Sequence, residues 1–261
     1  MFDLECQMKE SWPLIDCLVV DTVSGNANTT LDLVDKTAAK HLQHILVQHI
    51  LGAEDVLAIS GGKTLSTVAD HLKTTGTNAN VAVPIIGGVQ GQHYTDVNHI
   101  ATRIADELGA SATLIHAPLH VDTSVERDML LSVRAVGDVI DRARAANVSL
   151  LGLGAVAGQG ATYYRAHPLS EDHRAQLFKD GIRAELLGHL VNARGSLCDN
   201  ALNSCLVSLP LEEARQIPVR IGVATGKDKI DAVRAALNGE DISTLVIDDL
   251  TVQAVLTEIN H

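Results

Sequence analysis

Short apolar runs alternate along this chain with longer stretches whose apolar positions return every three or four residues. The runs at 14–20, 55–59, 81–86, 112–116, 148–153, 219–224 and 244–247 predict strands, being dominated by apolar residues and bounded by glycine, proline or polar positions. Residues 29–51 predict a long amphipathic helix, with Leu31, Val34, Ala38, Leu42, Ile45 and His49 on one stripe, Thr29 or Thr30 as N-cap and Gly52 as its stop. Further helices are expected from Thr64 (Leu65, Val68, Leu72), over 96–108 up to Gly109, over 124–146 with a break near Gly137, over 227–237 closed by Gly239, and after an N-cap at Asp248 (Val252, Val255, Leu256, Ile259). Between 157 and 180 the pattern loosens to a short helix after Ser170, the kind of segment in which ligand loops and lids sit. Residues 182–205 read only as mixed strand and loop. Strands alternating with helices predict an α/β fold with a mostly parallel sheet, and no repeat or linker divides the chain, so a single domain over 1–261 is expected.

In such sheets ligands bind beyond the carboxyl ends of the strands. Those ends carry Ser60-Gly61-Gly62, Gly87-Gly88, His116-Ala117-Pro118, Gly152-Leu153-Gly154, Ala224-Thr225-Gly226 and Asp248-Asp249, a rim of small residues that lets backbone approach a polar ligand. The first of these, continued by Lys63 and Thr64, turns a strand into a helix through two glycines. It leaves helix N–H groups unpaired at the positive end of the dipole, where an anion is stabilised. It lacks the spacing of a Walker A loop and of a Gly-x-Gly-x-x-Gly dinucleotide turn. The bland alternative is an ordinary tight turn that needs glycine and binds nothing.

Composition narrows the choice. Hydrophobic residues are 46% of the 261 and aromatic residues only 2%, so the core is built from Ala, Val, Ile and Leu, and base-stacking platforms are excluded. A net charge of −12 repels a phosphate backbone, so no nucleic acid is expected on these residues. Cys6, Cys17, Cys198 and Cys205 form no Cys-x-x-Cys pair, the opening residues are acidic, and no apolar run reaches the ~18 residues of a membrane span. A cytoplasmic protein with reduced thiols and no membrane contact is expected. His41 and His44 lack a third ligand at metal spacing, so no metal or cofactor is expected either.

The segments Leu-Ala-Ile-Ser-Gly-Gly-Lys-Thr-Leu, Val-Pro-Ile-Ile-Gly-Gly, Ala-Pro-Leu-His-Val, Leu-Gly-Leu-Gly-Ala-Val, Gly-His-Leu-Val-Asn-Ala-Arg-Gly and Ala-Thr-Gly-Lys-Asp-Lys, in this order, resemble the effector-binding domain of SorC-type bacterial transcriptional regulators, over nearly the whole chain. The resemblance implies a Rossmann-like mostly parallel sheet with helices on both faces, similar to ribose-5-phosphate isomerase and glucosamine-6-phosphate deaminase. It implies a sugar or sugar-phosphate effector, homo-dimers or tetramers, and operator DNA bound only through a helix-turn-helix expected to stand outside this chain, ahead of Leu4-Glu5. Carried over motif by motif, it assigns ligand contacts to Gly61, Gly62, Lys63 and Thr64 (phosphate loop), Gly87 and Gly88 (pocket wall), Gly154, and Lys229, with Asp248 holding a sugar hydroxyl or an interface. Two departures stand out. Thr225 replaces a usual glycine, and Gly188-His189-Leu190 stands where many members read Gly-Asp-Ile, so a carboxylate is counted as lost. His189 itself is read either as a ligand contact or as a hydrogen-bonded core residue.

The same fold carries isomerases and deaminases, which need a carboxylate base within reach of the substrate carbon. The corresponding loop, Ile86-Gly87-Gly88-Val89-Gln90-Gly91, contains no acid. Recognition without turnover is therefore expected, with no catalytic residues.

Overall fold

The computed structural model describes residues 1–48, 55–73, 81–89, 96–156 and 169–257. In chain order the elements are α1 (Phe2–Ser11), β1 (Asp16–Val20), α2 (Ala27–Gln48), β2 (Val56–Ile59), α3 (Lys63–His71), β3 (Val81–Pro84), α4 (Val97–Leu108), β4 (Ser111–Ala112), α5 (Ser124–Ser132) and α6 (Arg134–Arg144). There follow β5 (Val148–Gly152), β6 (Gly154–Ala155), α7 (Glu171–Lys179), β7 (Ile182–Leu186), β8 (His189–Asn192), α8 (Ala201–Ser204) and α9 (Leu211–Ala214). The chain continues with β9 (Val219–Val223), a 3-10 turn (Lys227–Lys229), α10 (Ile230–Asn238), β10 (Thr244–Asp248) and α11 (Asp249–Thr257).

Seven strands form one parallel sheet in the order β1-β10-β9-β5-β2-β3-β4. Its strands are apolar on both faces because helices cover both. Leu57, Ile59, Leu150 and Val246 pack with Val34, Leu42, Leu65, Val68, Ile100 and Ile104 of α2, α3 and α4. Their chain neighbours Ala58, Leu151, Leu245 and Ile247 point the other way, into α6, α10 and α11 through Val139, Ile140, Val233 and Val252. This is the expected Rossmann-like architecture. A small antiparallel sheet, β6-β7-β8, lies on the second face against α10.

Four elements differ from the sequence reading. Helix α1 has no counterpart in it; this helix buries Met8, and Glu5 accepts the Val19 N–H of the edge strand β1 at 3.0 Å. Strand β4 is two residues long, because the Asn98 side chain takes the place of a strand neighbour: Ile115 N–H donates to Asn98 Oδ1 at 2.8 Å, and Asn98 Nδ2 donates to Ile115 O at 2.9 Å. The helix over 124–146 breaks at Val133 (ψ 118°) rather than at Gly137. Gly137 allows the break, since a Cβ there would stand 2.9 Å from Leu131 O. The ambiguous stretch from 182 is a hairpin whose turn holds Leu187 (φ 53°) and Gly188 (φ 83°), both in the left-handed region that a tight two-residue turn requires. The expected helix stop at Gly52, the position of Ile259, and residues 157–168 of the expected lid loop lie outside the described residues.

Candidate functional site

The sheet has a topological switch point. From β2 the chain moves outward through β3 to β4, then returns to place β5 on the other side of β2 and continues to β9 and β10. The crevice where strand order reverses lies over the carboxyl ends of β2 and β5, the general position of ligand sites in open parallel sheets. Two of the glycine turns meet there. Ser60 N–H donates to Leu150 O at 3.1 Å, and Gly152 N–H donates to Ser60 Oγ at 3.2 Å, which ties the loop after β2 to the loop after β5.

Gly62 opens α3 with φ 112° and ψ 166°, a conformation essentially reserved for glycine, and no side chain caps the helix. The first intrahelical bond of α3 runs from Ser66 N–H to Gly62 O, so the amides of Gly62, Lys63, Thr64 and Leu65 have no partner within the helix. Gly61 is partly buried behind them, Thr64 is partly buried, and Lys63 is exposed at the first helical position. Gly226 repeats this turn after β9, with φ 94° and ψ 161°, leading into the 3-10 turn and α10. Two strands apart, the rim thus carries two Gly-Lys turns of matching backbone.

Between them sits a charged pair. Lys229 donates from Nζ to Leu153 O at 2.6 Å, which draws the loop after β9 onto the loop after β5. Glu185, in β7 directly opposite Gly154, accepts the Gly188 N–H and lies within the field of Lys229. Burial pushes the Glu185 carboxyl up and the Lys229 ammonium down, and each opposes the shift of the other. Gly154 is glycine because Glu185 leaves no room, a Cβ there meeting the Glu185 carbonyl oxygen at 2.8 Å and colliding with its carboxylate. Nearby, the hydroxyl of Thr225, the departure from glycine, is buried without a hydrogen-bond partner.

Other expected contacts have different surroundings. Gly87 donates its N–H to Val207 O at 2.8 Å, Gly88 donates to Ala117 O at 2.8 Å, and a Cβ on Gly87 would stand 2.4 Å from Pro118 O. These glycines let neighbouring backbone close over the end of β3, so their amides are already engaged. Asp248 is buried and saturated: Oδ2 accepts from Gly226 N–H at 2.9 Å and Thr251 Oγ1 at 2.7 Å, and Oδ1 accepts from Thr251 N–H at 3.0 Å and Thr22 Oγ1 at 3.3 Å. It caps α11, as expected, and braces the Gly226 turn. His189 is a buried core residue with Nε2 at 3.1 Å from Leu209 O, and burial holds its imidazole below the usual range.

The hairpin that lacks a carboxylate at His189 carries one on its other strand, Glu185, four residues earlier. Its signal in the sequence is the strict alternation of Ile182-Arg183-Ala184-Glu185-Leu186, whose apolar members are buried. The loop after β3 has no acid of its own, and tertiary structure brings Asp96 from the start of α4 against Gly88. It caps α4 through Asn98 N–H at 3.0 Å and His99 N–H at 3.3 Å, and it accepts Val89 N–H at 3.1 Å.

The family model described as "Putative sugar-binding domain" matches residues 1–257. The chain is 31% identical over 209 residues to Transcriptional regulator LsrR of Enterobacter sp. (strain 638), covering 79% of this chain and 63% of that protein's length. It is 26% identical over 258 residues to Erythritol catabolism regulatory protein EryD of Brucella abortus (strain 2308), covering 99% and 80%. Among solved structures it is similar to the full-length sorbitol operon regulator SorC from Klebsiella pneumoniae (TM-score 0.88, 22% identity, 98% of this chain and 80% of that one). It is also similar to a transcriptional regulator from Streptococcus pneumoniae TIGR4 (TM-score 0.90, 21% identity, 100% and 98%). At these identities the structural likeness speaks for the fold. Among the described residues no helix is long and apolar enough to cross a membrane. With the family match running through every rim loop described above, this chain belongs to the family of sugar-binding domains that this model describes.

Proposed function

We propose that this domain senses a phosphorylated sugar and does not transform it. The phosphate lies on the free amides of the Gly62 turn, with Lys63 and Thr64 beside it, where helix N–H groups and dipole favour an anion. The sugar hydroxyls face Glu185, Lys229 and Thr225, a set holding both acceptors and donors as hydroxyls require. Binding shifts the association of copies of the chain, and through it the DNA affinity of the whole regulator. The observation that carries this reading is the juxtaposition at the switch point of an uncapped glycine-opened helix N-terminus and the half-buried, opposite charges of Glu185 and Lys229.

Isothermal titration calorimetry against a panel of aldose and ketose phosphates, the matching free sugars and inorganic phosphate tests it. Saturable heat with a phosphorylated sugar, weakened at least about tenfold without the phosphate or by Lys229→Ala, is expected. Silence across the panel would overturn the proposal.

Sugar-phosphate isomerase or deaminase activity is the competing reading, and it requires a free base over a substrate carbon. Three amides engage Asp96, four donors engage Asp248, and Glu185 holds the Gly188 amide while facing Lys229. No consumption of ribose 5-phosphate or glucosamine 6-phosphate is expected by NMR, and turnover of either would favour the enzyme.

A further inference from the structure

Helix α5 is built to be covered. It is locally self-sufficient at its start, where Thr123 and Glu126 form a reciprocal capping box. Yet none of its residues is buried, and only Leu130 and Leu131 lean on the core. Its outer face carries Val125 at 66% exposure and Met129 at 64%, and Val133 at 49% continues the line one turn later. Among the described residues no other helix, taken with its cap residue, presents three large exposed apolar side chains; here Val125 and Met129 lie in α5 and Val133 at its C-cap. Single exposed apolar residues are ordinary, whereas a stripe at i, i+4, i+8 marks a contact surface.

The charges bordering the stripe say what covers it. Asp122 and Glu126 flank its N-terminal end, Arg127 and Asp128 beside Met129 neutralise each other as an ion pair, and exposed Arg134 stands at the far end. A surface acidic at one end and basic at the other complements itself when turned through a two-fold axis. We infer that α5 packs antiparallel on α5 of a second copy of this chain, each Met129 meeting its counterpart on the axis and each Val125 meeting the other copy's Val133. Arg134 of each copy then faces the acidic pair of the other, and the two helix dipoles oppose. This inference rests on the self-association included in the proposed function and locates it; it does not depend on the ligand.

Two short helices cover less than the roughly 800 Å² per partner of a standard stable interface, so the contact is weak and open to adjustment. Its place suits such adjustment. The segment feeding α5 leaves the rim beside the end of β3, held by the bridge Gly88↔Pro118 and by Val121 N–H on Cys205 O at 3.0 Å.

Sedimentation velocity of the ligand-free 261-residue chain, from about 1 to about 200 µM, tests the contact. Reversible dimerisation is expected, weakened at least tenfold by Met129→Asp with thermal unfolding unchanged, because the side chain is exposed. Asp122→Arg and Arg134→Asp should each weaken it, and the double exchange should restore it. A wild-type chain monomeric throughout, or a Met129→Asp chain that dimerises normally, overturns the interface. Failure of the double exchange to restore overturns the antiparallel arrangement. Calorimetry on Met129→Asp separates the two proposals, since sugar-phosphate heat there stands whether or not the dimer does.

Discussion

The family resemblance gives Asp248 a sugar hydroxyl or an interface, whereas its hydrogen bonds are those of a brace, a distinction that Asp248→Asn measures. Each carboxylate oxygen accepts one backbone amide and one hydroxyl: Gly226 N–H and Thr251 Oγ1 on Oδ2, Thr251 N–H and Thr22 Oγ1 on Oδ1. The hydroxyls can rotate and accept from an asparagine amide; the two backbone amides cannot. Whichever way the substituted side chain turns, one backbone N–H faces an NH₂ group in a buried site where Asp248 is 3% exposed. Losing one charge-assisted bond there costs about 2–3 kcal/mol. At roughly 2–4 °C per kcal/mol for a chain near this size, Tm should fall by about 4–12 °C. Urea unfolding followed by circular dichroism should give a lower midpoint with an unchanged slope. Sugar-phosphate affinity should fall only modestly, through loosening of the Gly226 turn. Stability within about 0.5 kcal/mol of wild type together with abolished binding would refute the brace and return Asp248 to the ligand.

Glu185→Gln and Lys229→Met should each destabilise, while the double variant loses less than their sum, a coupling of about 1–3 kcal/mol in a double-mutant cycle; additivity would mean the two charges do not act on each other. Asp35, 1% exposed in α2 and hydrogen-bonded by Thr67 of α3, has its carboxyl pushed up to about 6 by burial. The folded chain therefore takes up a proton that the unfolded chain releases, so this residue adds stability as pH falls from 7 to 4 and withdraws it as pH rises through 6. Asp35→Asn should be more stable than wild type at pH 7 by about 3 kcal/mol, with the difference vanishing near pH 4, and parallel pH profiles would contradict this. Gly62→Ala meets no atom within 4 Å but is forced into a glycine-only conformation, costing about 1–3 kcal/mol, whereas Gly87→Ala drives a Cβ into Pro118 backbone and should cost about 3 kcal/mol or more. Equal unfolding midpoints for the two would undo the steric assignment.

The sequence by itself determined the strands, most helices and the existence of a glycine-rich rim. Those depend on local causes: apolar runs at 55–59 and 244–247 suit a strand covered on both sides, Asp96 and Gly109 bound a helix, and Gly62 answers a backbone angle. The hairpin from 182 escaped because its turn uses Leu187 where glycine or asparagine would have announced it. Only the tertiary structure decided which rim loops form a site. Ser60 and Gly152 are 92 positions apart yet adjoin because β5 returns to the flank of β2, and Glu185 comes within the field of Lys229 because a hairpin folds onto α10. It also decided which polar groups remain available. The amides of Gly87 and Gly88 are satisfied by distant chain and the oxygens of Asp248 by Thr251 together with distant Gly226 and Thr22, while the amides opening α3 have no partner within their helix. A residue's type states which hydrogen bonds it can make; the neighbours that folding brings to it determine whether any are left for a ligand.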